Sequence, residues 1–128
     1  MKVSEEEFEK LVAGAISTLP EKFRKRMENI AVVIEDLPSQ ELLMEMKIKS
    51  PYGLLGLYRG VPYPRRGIWY RNVLPDKIII FKKPIEIRCR NKEEIKESVR
   101  SVVIHEIGHY FGLGEAELRK IERERSDS

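Results

Sequence analysis

Cysteine is almost absent: Cys89 stands alone among 128 residues, so neither an internal disulfide nor a multi-cysteine zinc site can form, and the chain is no stapled secreted scaffold. Long apolar runs are missing too. No stretch approaches the roughly 18 to 20 residues that a membrane span needs, and the opening MKVSEEEFEK is acidic where a signal peptide carries a basic lead into an apolar core. A cytoplasmic protein with no membrane partner is therefore expected. There is no internal repeat and no linker rich in Gly, Pro or Ser, so residues 1–128 read as a single domain, expected to act as a monomer. Excess charge of one sign is lacking as well, since 24 Lys plus Arg face 21 Asp plus Glu. With 41% hydrophobic residues spread in short clusters, this balance argues against intrinsic disorder.

The patterning predicts a mixture of helices and a few strands. Ser4 and Glu7 form a capping box, after which Phe8, Leu11, Val12, Ala15, Ile16 and Leu19 recur at helical spacing until Pro20 intervenes. The β-branched run Ile30–Ile34 predicts a buried strand, as does Lys77–Phe81, and a shorter strand is expected at Leu54–Tyr58 within a loop-rich segment. Residues 39 to 47 fit either a short helix or an irregular arm. Asn91 with Glu94 starts a longer helix that places Ile95, Val99, Val103 and Ile107 on one face and runs to about Phe111. Gly112 and Gly114 end it, and a short charged helix follows over Glu115–Arg125.

Inside the longer helix lies His105-Glu106-Ile107-Gly108-His109, an H-E-x-x-H sequence. Residues four apart stack on one helical face, so the two imidazoles can share one metal ion through one nitrogen each. Glu106 is displaced by about 100° around the helix, beside the ligands, where a carboxylate can take a proton from a water activated by the metal. These are the only two histidines in the chain; two placed at random would be four apart in roughly 1.5% of cases, which makes the match specific. Reading on, H-E-I-G-H-Y-F-G-L-G-E follows the longer H-E-x-x-H-x-x-G-x-x-H frame, with Glu115 in the place of the third histidine. Gly112 supplies the sharp turn that brings the chain back toward the metal. Glu115 is then the expected third ligand, with Glu117 as its substitute.

Three blocks of the chain, Leu54–Pro62, Leu74–Ile78 and above all His105–Leu118, resemble the small bacterial zincin-like metallopeptidases, the minimal zincins. The resemblance implies an α+β, zincin-like fold with a small mixed sheet packed against an N-terminal helix and the H-E-x-x-H helix. It also implies a zinc-dependent peptidase, with one Zn2+ per chain and a peptide or protein substrate. Family members commonly carry aspartate where this chain has Glu115. In this reading His105, His109 and Glu115 bind the metal and Glu106 is the general base. Strand addition of an extended substrate to Leu54–Tyr58 is a further expectation.

An alternative function rests on charge. Between Arg59 and Lys92 ten basic residues face only Asp76 and Glu86, a net +8, which fits a metal-binding regulatory or nucleic-acid-binding module. The basic residues are scattered over strand and loop signals, and among the interleaved aromatics Trp69 and Tyr70 fit a core or cleft wall better than a stacking platform. Nucleic acid is therefore the less favoured partner. A metal-dependent nuclease is disfavoured because Asp36 and Asp76 stand isolated where extra carboxylates are needed. Cys89, after the alternating Ile85 and Ile87, is expected to be packed inside.

Overall fold

A computed structural model describes residues 1–60 and 76–124, the side chain of Tyr110 excepted. The first helix, α1 (Glu5–Ser17), begins where Ser4 accepts a hydrogen bond from the Glu7 backbone N–H at 3.1 Å, satisfying one of the orphan donors of the first turn. Pro20 opens α2 (Glu21–Arg26), as expected of a residue whose fixed φ suits a helix start. Strand β1 (Ile30–Glu35) follows, half-buried with Val32 37% exposed where its apolar run predicts a buried strand, because it lies at one edge of the sheet among the described residues; then comes α3 (Gln40–Met46). Thus the ambiguous arm is helical, capped by Ser39 and closed by Lys47 in the left-handed conformation. A 3₁₀ turn (Pro51–Gly53) leads into β2 (Gly56–Arg59), slightly later than the predicted strand.

Strand β3 (Asp76–Phe81) lies between the other two, parallel to β1 and antiparallel to β2. Its unbroken apolar run reflects this central place. Successive side chains point to opposite faces. Ile78 and Ile80 enter the main core with Phe8, Val12, Val99 and Val103, whereas Ile79 and Phe81 meet Leu57 and the half-buried Leu42 on the other side. The architecture is therefore α+β, with a small mixed sheet packed against the N-terminal helix and the H-E-x-x-H helix.

Directly after β3 comes α4 (Lys82–Arg88), a helix that the alternation of Ile85 and Ile87 does not signal. Pro84 sits in its first turn, a position that needs no amide donor. Ile85 is buried while Ile87 is 66% exposed. Lys82 and Glu86, one turn apart and both buried, pair at 3.0 Å, and Glu86 also accepts the Val3 N–H at 2.7 Å. Cys89 is buried just beyond α4, and burial pushes its thiol pKa up despite the neighbouring Arg88. The long helix α5 (Lys92–Tyr110) is capped by Asn91, whose side chain accepts the Glu94 N–H at 2.9 Å. The last helix, α6, covers Glu115–Arg123. No helix among the described residues is long and apolar enough to cross a membrane.

Candidate metal centre

Helix α5 buries Ile95, Val99, Val103, Ile104 and Ile107 completely, which fixes its rotation about its own axis. The opposite side carries His105, half-buried, and His109, exposed, while Glu106, half-buried, lies on the sheet-facing side. The imidazole centroids are 6.2 Å apart. The helix then ends in a Schellman turn: the Leu113 N–H donates to Gly108 O and the Gly112 N–H to His109 O, both at 3.0 Å, with Gly112 at φ +74°. This is the turn the sequence demanded of Gly112, and it sends α6 back along α5.

Close return depends on Gly108. A Cβ there would stand 2.2 Å from Leu118 Cδ2, so the missing side chain is the space that fully buried Leu118 occupies. With α6 seated, Glu115 Oε1 lies 3.6 Å from His109 Nε2. That is too long for a hydrogen bond but close to the separation of two ligand atoms that share a tetrahedral zinc, about 3.4 Å for bonds near 2.1 Å. Glu117, the substitute, faces a groove of about 320 Å³ between α2 and α6, with Phe23, Arg26 and Leu113.

At its other end α6 brings Glu122 Oε1 to 3.3 Å from His105 Nδ1. That nitrogen also lies 2.9 Å from Ser101 O, and Ser101 Oγ donates to Glu122 Oε1 at 2.9 Å. Neither Glu122 nor Ser101 was singled out from the sequence. Their signals were present nevertheless: Ser101 precedes His105 by one helical turn, and Glu122 follows Glu115 by two. Behind them Arg100, only 2% exposed, donates to the carbonyls of Ile121 and Glu122 at 3.0 and 2.5 Å, to that of Glu124, and from Nε to Thr18 Oγ1 at 2.9 Å. It ties the end of α6 to the end of α1.

Glu106 points away from α6 toward the sheet. Its pKa is raised by burial, against the opposing pull of His109, a hydrogen bond from the Tyr58 backbone and His105. Tyr58 belongs to β2, which pairs only with β3 among the described residues. A carboxylate so placed combines raised basicity with a fixed direction, the two properties a general base needs.

The family model for zincin-like metallopeptidases matches residues 27–125, a span that takes in the sheet, α5 and α6. The chain belongs to the zincin-like metallopeptidase family. No curated protein matches it. The family implies zinc, and the donor set of two imidazoles and a carboxylate is of the type zinc accepts. Among the described residues no three His, Cys, Asp or Glu side chains converge as they stand. The His109 and Glu115 side chains are 57% and 60% exposed, so neither is packed into the core.

The basic segment offers less than its net charge suggests. Arg65, Arg66, Trp69, Tyr70 and Arg71 lie outside the described residues. Of the others, Arg59 pairs with Glu45 through two contacts of 2.8 and 3.2 Å, Lys82 with Glu86, Arg90 with Glu94, and Lys92 with Glu7. Lys82 pairs within its own helix, and the other three cations pair with carboxylates of α3, α5 and α1.

Proposed function

We propose that this zincin-like protein is a zinc-dependent peptidase that holds one metal ion through His105, His109 and Glu115 and uses Glu106 as general base. The observation that carries the reading is the 3.6 Å approach of Glu115 Oε1 to His109 Nε2 across the α5–α6 turn, in a chain of this family. Zinc, when bound, supplies a Lewis acid that lowers the pKa of water toward about 7 and polarises a scissile carbonyl. Glu106 accepts a proton from the attacking water at its carboxylate and delivers it to the leaving amine. Burial supports that role, because a carboxyl held above its ordinary pKa is the stronger base.

The substrate is a peptide or protein segment in extended form, lying along β2 beside α5. There the Tyr58 backbone is already engaged by Glu106, so an added strand would bond the edge on either side of it. The lone buried cysteine suits a reducing, cytoplasmic setting.

The test is zinc content of untagged protein, measured by mass spectrometry for wild type, His109→Ala and Glu115→Ala, together with cleavage of a fluorogenic peptide library by wild type and Glu106→Gln. One zinc per chain is expected, abolished by the histidine variant and reduced by the Glu115 variant. Glu106→Gln should keep the metal and lose about 10² to 10⁴ in rate. Zinc binding that survives His109→Ala, or full activity in Glu106→Gln, would overturn the assignment.

A further inference from the structure

We infer that Glu122 is a positioning residue for His105, fixing which ring nitrogen carries the proton and leaving Nε2 to face the metal. The inference rests on the zinc reading above and adds a residue to it. Imidazole has two distinct nitrogens, and the partner of one decides the use of the other. Nδ1 of His105 lies 2.9 Å from Ser101 O, a carbonyl that can only accept, so Nδ1 bears the hydrogen. Glu122 Oε1 stands 3.3 Å from the same nitrogen and also accepts the hydroxyl of Ser101 at 2.9 Å. It is therefore a shared acceptor for two donors of α5.

The contrast with Glu115 assigns the two roles. Glu115 meets the Nε2 of His109, whereas Glu122 meets the Nδ1 of His105. Seven residues separate the two carboxylates, two turns along one face of α6, while the histidines are one turn apart on a helix running the other way. One helix thus presents a ligand at one end and an orienting carboxylate at the other. A carboxylate on Nδ1–H holds the ring plane and raises the basicity of Nε2, an arrangement whose loss typically weakens metal binding 10- to 100-fold.

Glu122 is also held more firmly than a surface acid. Its side chain is 35% exposed against 60% for Glu115. Moreover, its own backbone carbonyl takes a 2.5 Å hydrogen bond from Arg100, the residue next to Ser101. The clamp and the acceptor network converge on the same turn of α6.

The experiment measures zinc affinity by chelator competition for wild type, Glu122→Gln, Glu122→Ala and His109→Ala. In parallel, the His105 tautomer is read from ¹⁵N chemical shifts in metal-free protein. Glu122→Ala should bind zinc 10- to 100-fold more weakly with one site retained. Glu122→Gln, which keeps an acceptor oxygen, should lose less. The wild-type His105 should be the Nδ1–H tautomer, and the alanine variant should shift toward Nε2–H. Wild-type affinity in Glu122→Ala would overturn the proposal while leaving the metal site intact. Conversely, unchanged binding in His109→Ala, or no zinc in wild type, would remove the metal reading. The metal-free tautomer then still decides the His105–Glu122 contact, with Nε2–H in wild type overturning it.

Discussion

Replacing Gly108 with alanine sets two opposed effects against each other within the H-E-x-x-H sequence. Alanine is the better helix former by about 1 kcal/mol, so on propensity alone Gly108→Ala would stabilise α5. The new methyl, however, would sit 2.2 Å from Leu118 Cδ2 and 3.5 Å from its Cγ. Ordinary contact begins near 3.5 to 4.0 Å, so Leu118 has to retreat by about 1.5 Å. Because Leu118 is fully buried among core residues, α6 must move with it. Overpacking of this kind costs about 1 to 3 kcal/mol, which outweighs the propensity gain and leaves a net loss of about 1 kcal/mol, or about 3 to 5 °C in Tm for a chain of this size. A double-mutant cycle with Leu118→Ala isolates the steric part, since the propensity gain is common to both Gly108→Ala measurements and cancels. Leu118→Ala alone should cost about 2 to 5 kcal/mol, and distinctly less in the Gly108→Ala background, where the methyl fills part of the cavity. The assay is urea unfolding of the four proteins at constant m-value. A higher Tm for Gly108→Ala together with zero coupling would refute the packing argument.

Gly56→Ala should reduce peptidase rate more than zinc content, because its Cβ would lie 2.4 Å from Val102 Cγ1 and 3.1 Å from Ile79 O and so displace β2 from α5; parallel assays of turnover and bound metal check this. Gly112→Ala should lower stability by about 1 to 2 kcal/mol through its left-handed φ of +74°, with Gly112→Asn milder, since asparagine tolerates that conformation; the ranking Gly, Asn, Ala in thermal unfolding is the readout. Cys89 should resist alkylation in the native state and react at once in denaturant, because burial both shields the thiol and raises its pKa. Removing zinc with a chelator should lower Tm, and restoring it at 100 times its Kd should return about 2.7 kcal/mol.

Legibility in the sequence followed the range of the interactions involved. The start of α5, its buried face and its glycine turn are set by residues within a few positions of one another, and Asn91, Val99, Val103 and Gly112 behave as their spacing required. The strands β1 and β3 were readable for the same reason, although β1 is half-buried with Val32 exposed where its apolar run predicts burial, and the strand order β1-β3-β2 was not readable, since register depends on partners distant in the chain. Helix α4 escaped because Ile85 and Ile87 mimic a strand period, while the Lys82–Glu86 pair and the first-turn proline that favour a helix there carry weaker signals. Arg100 has no local sequence signal for burial. Its burial follows from the carbonyls of α6 and the hydroxyl of Thr18 that accept its hydrogen bonds, which only the fold brings together.

The division between local and distant contacts bears on the chemistry of the site. His105, His109, Glu115, Ser101 and Glu122 all belong to one α5–α6 hairpin, whose return is set by Gly108, Gly112 and the Arg100 clamp. In the proposed site the ligands therefore depend on that hairpin alone. Glu106 alone among the site residues depends on the sheet, through the Tyr58 backbone of β2. That strand approaches α5 closely because Gly56 leaves room for Val102. Disturbing β2 should therefore separate catalysis from metal binding, while disturbing α6 should impair both. This asymmetry distinguishes a peptidase whose base is aimed by the substrate-bearing strand from a metal-binding module whose histidines happen to neighbour a glutamate. In the second case, displacing β2 by Gly56→Ala would change neither zinc binding nor any function the chain performs through it.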